Sequence, residues 1–306
     1  MRKALLWAST NPFLAERLPR MRFVKRATSR FMPGESWEEA LTEADRLSTR
    51  GMGTLVTLLG ENLDSIDQAD AVLDEYLGVL QDVSDAGVDL EISVKLTQLG
   101  LDFGPEVAQE RLSRLAEATQ SLVWIDMESS DYVDVTLEIF RNVMSTNRNL
   151  GLCLQSYLRR TEDDLDNLLP LDPSIRLVKG AYNETREVAY PDKREVDDHY
   201  FTLSRTLLKA RLNGGMARPV IATHDTRMIE SVNRMAVELG ADKDDYEFAM
   251  LYGIERQEQN RLVTSGHVVR VLISYGSSWF PWYMRRLAER PANCLLYTSP
   301  SPRDRG

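Results

Sequence analysis

A strand buried in a parallel sheet is normally apolar along its whole length. Several apolar runs in this chain instead end in residues that can do chemistry. Lys95 follows Ile92-Ser93-Val94, and Asp126 and Glu128 follow Val123-Trp124-Ile125. Gln155 and Tyr157 follow Leu152-Cys153-Leu154; Arg176 opens a run that Lys179 and Tyr182 close; Thr223, His224 and Asp225 end the next. Each one alone reads equally well as a salt bridge or a loop cap. Together they suggest one shared site. Lys95 and Arg176 suit an anion, and Asp126 offers a counter-charge or a proton acceptor. His224 fits three roles: a base, a hydrogen-bonding residue against a cofactor, or a satisfied core histidine. Near the C-terminus, Trp279-Phe-Pro-Trp-Tyr-Met-Arg-Arg286 sets two adjacent guanidiniums behind an aromatic cluster. Arg285 and Arg286 have the fork geometry that grips a carboxylate bidentately, though a solvated face is the plainer reading of such a pair.

These residues need a frame that gathers strand ends. Eight short β-rich runs occur, at 53–59, 90–96, 122–126, 150–156, 175–180, 219–224, 246–251 and 268–274. The gaps read as amphipathic helices. Residues 64–86 carry Ile66, Ala69, Val72, Leu73, Tyr76, Leu77 and Leu80 as one stripe. Residues 131–143 and 197–212 repeat that periodicity, and 226–239 opens on a capping candidate and closes at Gly240. Strands alternating with helices imply βαβ units and a parallel sheet. Eight units point to an α/β chain with a distorted (β/α)8, TIM-like barrel; an open doubly wound sheet is the alternative. In such barrels the catalytic groups sit at the C-terminal strand ends. The expected organisation is an N-terminal helical extension over 1–50 and a catalytic barrel over 51–293. The remaining 294–306, Pro/Ser-rich and polar, reads as a non-native disordered tail.

Composition narrows the function. The 306 residues carry 37 Lys+Arg against 47 Asp+Glu, a net charge of −10. That acidity argues against general nucleic-acid binding, which needs clustered cations. Cys153 and Cys294 make no disulfide framework, which favours a reducing compartment. No GxGxxG follows the first strand and there is no Walker loop, so a nicotinamide cofactor on a dinucleotide fold is not indicated. His199, His224 and His267 lie far apart in the sequence, so no metal site is expected. No apolar run is long enough for a membrane helix. From the residues alone, a barrel lyase using Lys95 or Lys179, as a Schiff base or with a metal, and a non-catalytic binding barrel also stay open.

A set of motifs then occurs in order: Ser93-Val-Lys-Leu-Thr-Gln-Leu-Gly100, Ile125-Asp-Met-Glu128, Leu154-Gln-Ser-Tyr157, Arg176-Leu-Val-Lys-Gly-Ala-Tyr182, Ala222-Thr-His-Asp225, Tyr246-Glu-Phe-Ala-Met-Leu-Tyr-Gly253 and Tyr283-Met-Arg-Arg-Leu-Ala-Glu289. Over roughly residues 20–293 the chain resembles monofunctional bacterial proline dehydrogenases. The resemblance implies non-covalent FAD, oxidation of L-proline to Δ1-pyrroline-5-carboxylate, and electrons passed to a membrane quinone. It implies a cytoplasmic protein with peripheral contact at the inner membrane, and leaves homo-oligomerisation open. Lys95, Arg285 and Arg286 would bind the proline carboxylate, and Tyr182 and Leu251 would wall the ring. Asp126 and Arg176 would be catalytic, Asp126 beside Lys95 and Arg176 near flavin N5. Met127, Gln155, Val178, Lys179, Gly180, Thr223 and His224 would contact FAD.

Two positions depart from the family pattern. Leu272 stands where many members carry a tyrosine that packs near proline, so weaker selectivity against 4-hydroxyproline is expected, unless Tyr275 supplies the ring. After Asn293 the family's apolar helical segment is replaced by the Pro/Ser-rich tail.

Overall fold

The computed structural model describes residues 28, 30–60, 63–214 and 218–280. Eight strands close into one all-parallel barrel in sequence order. They are β1 (Gly53–Leu58), β2 (Leu90–Val94), β3 (Val123–Ile125), β4 (Leu150–Gln155), β5 (Ser174–Val178), β6 (Arg218–Ala222), β7 (Glu247–Leu251) and β8 (Val268–Tyr275). Closure runs over six register pairs, from Gly53 with Arg270 to Leu58 with Tyr275. The TIM-like architecture expected from the alternation is therefore the one observed.

The helices wrap the outside. They are α1 (Trp37–Ser48), α2 (Ile66–Ala86), α3 (Pro105–Glu117), α4 (Val133–Met144), α5 (Thr161–Leu168), α6 (Lys193–Leu212), α7 (Thr226–Leu239) and α8 (Arg256–Thr264). Local chemistry sets several of their ends. Ser36 and Glu39 form a reciprocal capping box at the start of α1. Asp225 caps α7 by accepting from Met228 N, and Gly240 ends it with φ of 77°. Helix α6 begins four residues before the apolar stripe suggests. Its first turn is held on the surface by Lys193–Asp197 and Arg194–Asp198 pairs, which carry no hydrophobic period. Helix α1 falls in the segment read as a helical extension; residues 1–27 of that segment, and the tail 294–306, lie outside the described residues.

Strand side chains alternate between two surroundings. Outward ones such as Ile92, Ile125, Leu152, Leu177, Ile221, Phe248 and Val271 are buried against the helix layer in one continuous core. Each contributes about 1.5–3 kcal/mol by leaving water. Inward ones form three tiers. The middle tier is small and apolar: Leu55, Trp124, Val220 and Ala249, with Leu122, Ala222 and Leu272 around them.

The tier at the N-terminal end is a charge plug. Arg218 donates to Glu91 Oε1 at 2.7 Å and to both oxygens of Glu247 at 2.7 and 2.8 Å. Arg270 donates to Glu247 Oε2 and Asp89 Oδ1, each at 2.8 Å. Gly53 leaves the room for this pair, because a Cβ there would come within 2.7 Å of Arg270 Nη1 and 2.8 Å of Asp89 Oδ2. The third tier, at the C-terminal mouth, carries the residues singled out above.

Candidate active site

Strand β2 delivers Ser93 and, just past its end, Lys95; β3 delivers Asp126 in the same way; β5 delivers Arg176. These four side chains meet. Lys95 Nζ donates to Asp126 Oδ2 at 3.0 Å, and Ser93 Oγ donates to Asp126 Oδ1 at 2.8 Å. Arg176 Nη2 donates to Ser93 Oγ at 2.9 Å and also to Asp126 Oδ1. Two cations therefore share one carboxylate, so this network carries a net positive charge suited to an anion.

The electrostatics follow from burial and pairing. Burial favours neutral Asp126, but Lys95, Arg176 and the Ser93 hydrogen bond outweigh it and hold the carboxyl at about 2. Burial likewise works against charged Lys95, yet Asp126 pushes its pKa above the ordinary value. A Schiff-base amine must be neutral to attack, so Lys95 is unsuited to the lyase reading. Lys179 Nζ donates to two carboxylates, Asp197 Oδ1 at 2.5 Å and Asp225 Oδ2 at 3.0 Å. Asp126, ionised far below neutral pH, is also a poor proton acceptor.

The other expected site residues take varied places. Gln155 Nε2 donates to Met127 O at 3.2 Å, while Gln155 Oε1 is buried without a partner. Arg176, itself 3% exposed, buries Nη1 without one. Val178 is half-buried beyond Arg176 on the same face. Gly180 has φ of 102°, and a Cβ there would come within 2.1 Å of the Tyr157 ring, so only glycine fits. Lys179 points the other way, toward α6 and α7, because strand alternation turns it from the mouth. Thr223 Oγ1 accepts from Asp225 N at 3.2 Å. His224 Nε2 accepts from Leu251 N at 2.8 Å, so that nitrogen is committed to the backbone rather than to a base role. Leu251 is half-buried, and Tyr182 is 39% exposed, near enough to Lys95 to act on its charge. Arg285 and Arg286 lie outside the described residues.

Three contributors carry no role in the sequence reading. Ser93 bridges Asp126 and Arg176; its two-residue offset from Lys95 is the signal that would have found it. Glu184 accepts from Ser130 N at 2.8 Å and Ser130 Oγ at 2.6 Å, tying the loop after β5 to the loop after β3. Trp124 lies directly beneath the network, with Arg176 Cζ 5.2 Å from its ring centroid. Leu272 is half-buried and packs against the middle tier. Tyr275 does not replace a ring there: it faces the outer layer, 5.8 Å from the Trp37 ring. Outside the barrel, a groove of about 910 Å³ runs between α6 and α7. Its Lys193, Arg227 and Arg234 are matched by Asp197, Asp198, Asp225 and Glu238, so it is no anion cradle.

The chain was compared with known proteins. A model of the proline dehydrogenase family matches residues 40–294. The proline dehydrogenase of Deinococcus radiodurans is 38% identical over 304 residues, covering 96% of each chain. Proline dehydrogenase 2 of Bacillus subtilis (strain 168) is 37% identical over 270 residues, 87% of this chain and 88% of its own. Among solved structures, proline utilization A (PutA) from Bdellovibrio bacteriovorus inactivated by N-propargylglycine has a TM-score of 0.82 at 25% identity. That match covers 95% of this chain and 36% of the longer protein.

Proposed function

The chain belongs to the proline dehydrogenase family, and on that premise we propose that it oxidises L-proline to Δ1-pyrroline-5-carboxylate using FAD and a quinone as final acceptor. The observation that carries this reading is the Lys95–Asp126–Arg176 network, net cationic in itself, with the buried Arg176 Nη1 making no hydrogen bond.

Whether a flavin fits can be tested on the residues present. Arg176 Nη1 and Gln155 Oε1 are buried polar atoms in need of a partner at the same mouth. Gly180 lets the Tyr157 ring pack directly against its backbone there. These features suit an aromatic heterocycle with hydrogen-bonding edges. Met127, Gln155, Val178, Gly180, Thr223 and His224 would hold it, with Lys179 contributing its backbone and stem because its ammonium is taken. When bound, FAD supplies the hydride acceptor.

The chain's own groups do the rest. Lys95, joined by Arg285 and Arg286, binds the proline carboxylate and orients the carbon next to nitrogen. Asp126 stays anionic and keeps both cations aimed. Tyr182 and Leu251 wall the ring and help exclude water. The proline nitrogen must be neutral before that carbon gives up hydride. Asp126 and His224 Nε2 are both committed elsewhere, so the site selects the neutral amine from solution, and kcat/KM rises with pH until that amine is deprotonated. We assign residues 51–293 to this catalytic unit. Delivery of electrons to a membrane quinone would use peripheral contact; among the described residues no helix is long and apolar enough to cross a bilayer.

Anaerobic titration with L-proline tests the reading: the flavin absorbance should bleach. If neither proline nor any other cyclic imino acid bleaches it, the proposal fails. Selectivity gives a finer check. With leucine at 272 the wall offers no hydroxyl and less bulk, so discrimination against 4-hydroxyproline should be weaker by about tenfold than in a tyrosine-bearing relative. Leu272→Tyr should recover it. A wild-type enzyme that already favours proline as strongly as that relative would contradict this role for Leu272.

A further inference from the structure

Arg176 is held by Ser93 and Asp126 through one nitrogen, Nη2, and faces the Cys153 thiol on β4, its register partner. Trp124 lies beneath it. The indole is fully buried in the apolar tier, with Arg176 Cζ 5.2 Å from its centroid. A desolvated cation over a tryptophan face is among the stronger side-chain contacts of its kind. The indole is itself tethered: Nε1 donates to Glu91 Oε2 at 2.7 Å. Glu91 belongs to the charge plug, and Arg218 of that plug stands 5.8 Å from the same ring.

Gly151 adds an independent observation. It is the register partner of Trp124 on the neighbouring strand. Glycine inside a buried strand weakens it unless something needs the space. Here a Cβ would come within 2.4 Å of Trp124 Cε3 and 2.6 Å of Cδ2. Gly151 has no positive φ to account for it. The glycine makes room for the indole to cross β4 and reach Arg176 on β5.

We propose that Trp124 is a positioning residue for Arg176: its face sets the plane of the guanidinium, Glu91 fixes the indole from the plug, and Gly151 gives it passage. The charge plug at the closed end of the barrel is thereby connected to the chemistry at the open end. This rests on the reading that Arg176 addresses the flavin.

The test uses the full-length, flavin-loaded protein, with Trp124→Phe keeping a smaller, untethered face and Trp124→Leu removing the face. A cation held near the flavin stabilises its reduced, more anionic form. The resting midpoint potential should therefore fall by about 30 mV in Trp124→Leu, a tenfold change in a two-electron equilibrium, and by less in Trp124→Phe. The kcat should drop about tenfold in Trp124→Leu, while the proline KM moves less than about twofold, because Lys95 is untouched. Gly151→Ala, which displaces the indole without removing it, should shift the potential in the same direction. Phe248→Leu, a core change on the outer face, controls for stability and should leave the potential alone. If Trp124→Leu fails to fold, Trp124→Phe and Gly151→Ala decide the matter.

Wild-type potential and kcat in the Trp124 and Gly151 variants, in a protein whose flavin proline does bleach, would overturn the inference and spare the proposed function. An equal shift in Phe248→Leu would also overturn it, by showing a merely structural effect. A wild-type protein that binds no flavin would sink the proposed function first and this inference with it.

Discussion

Asp126→Asn should cost about 2–4 kcal/mol of stability at neutral pH and about a hundredfold in kcat/KM. The substitution keeps the shape and removes the one negative charge between two buried cations. Lys95 and Arg176 are then left facing each other, and stranding a buried charge is far more costly than losing a surface pair. The catalytic loss follows from geometry, since misplacing a positioned group by about 1 Å can cost about a hundredfold. The pH dependence has a definite sign. Asp126 titrates at about 2 in the folded chain against an ordinary 3.8, so its contribution is present in full above about pH 4. It is lost as pH falls through about 2. Denaturant unfolding of both proteins across that window should show the gap between them shrinking on acidification. A gap that stays constant, or widens, would remove Asp126 from this role.

Arg270→Met should be the most damaging single change at the other end of the barrel, at about 3–5 kcal/mol. Arg270 is buried and serves Asp89, Glu247 and, at 3.6 Å, Glu91. Without it, Glu91 and Glu247 share only Arg218 inside a low-dielectric tier. At about 2–4 °C per kcal/mol for a chain of this size, the midpoint should drop by about 10 °C. The proline KM should not change, because Glu91 keeps both Arg218 and the Trp124 tether. A KM shift as large as the stability loss would show that the plug reaches the substrate by a route other than Trp124.

The two ends of the barrel differ in how legible they were. Lys95, Asp126, Arg176 and His224 stand out in the sequence because each breaks an apolar run where a strand should be apolar. The plug breaks its runs too, but at the strand starts, away from the mouth. Arg218 lies just before its apolar run, whereas Glu91, Glu247 and Arg270 lie within the first three positions of theirs, where nothing local tells a partnered charge from one at the edge of the strand. Only closure shows that they converge: Arg270 and Asp89 are 181 positions apart, and Arg218 and Glu91 are 127 apart. Lys179 shows what alternation adds. It sits in the strongest motif, yet strand alternation sends its ammonium outward to Asp197 and Asp225.

The apolar runs, the helical stripes between them and the ordered motifs determine, by themselves, an eight-unit barrel, its mouth and its family. These are local or periodic properties, readable wherever hydrophobic spacing matches a strand or a helix. What only the tertiary structure decided is which side chains share a contact. Ser93 bridges rather than merely accompanies Lys95. Trp124 supports Arg176 across a strand that yields its Cβ at Gly151. Tyr275 turns to Trp37, away from the face that carries Leu272. Each of these depends on register and on which face a residue presents once the sheet has closed, and a one-residue change in pairing would reverse every one of them.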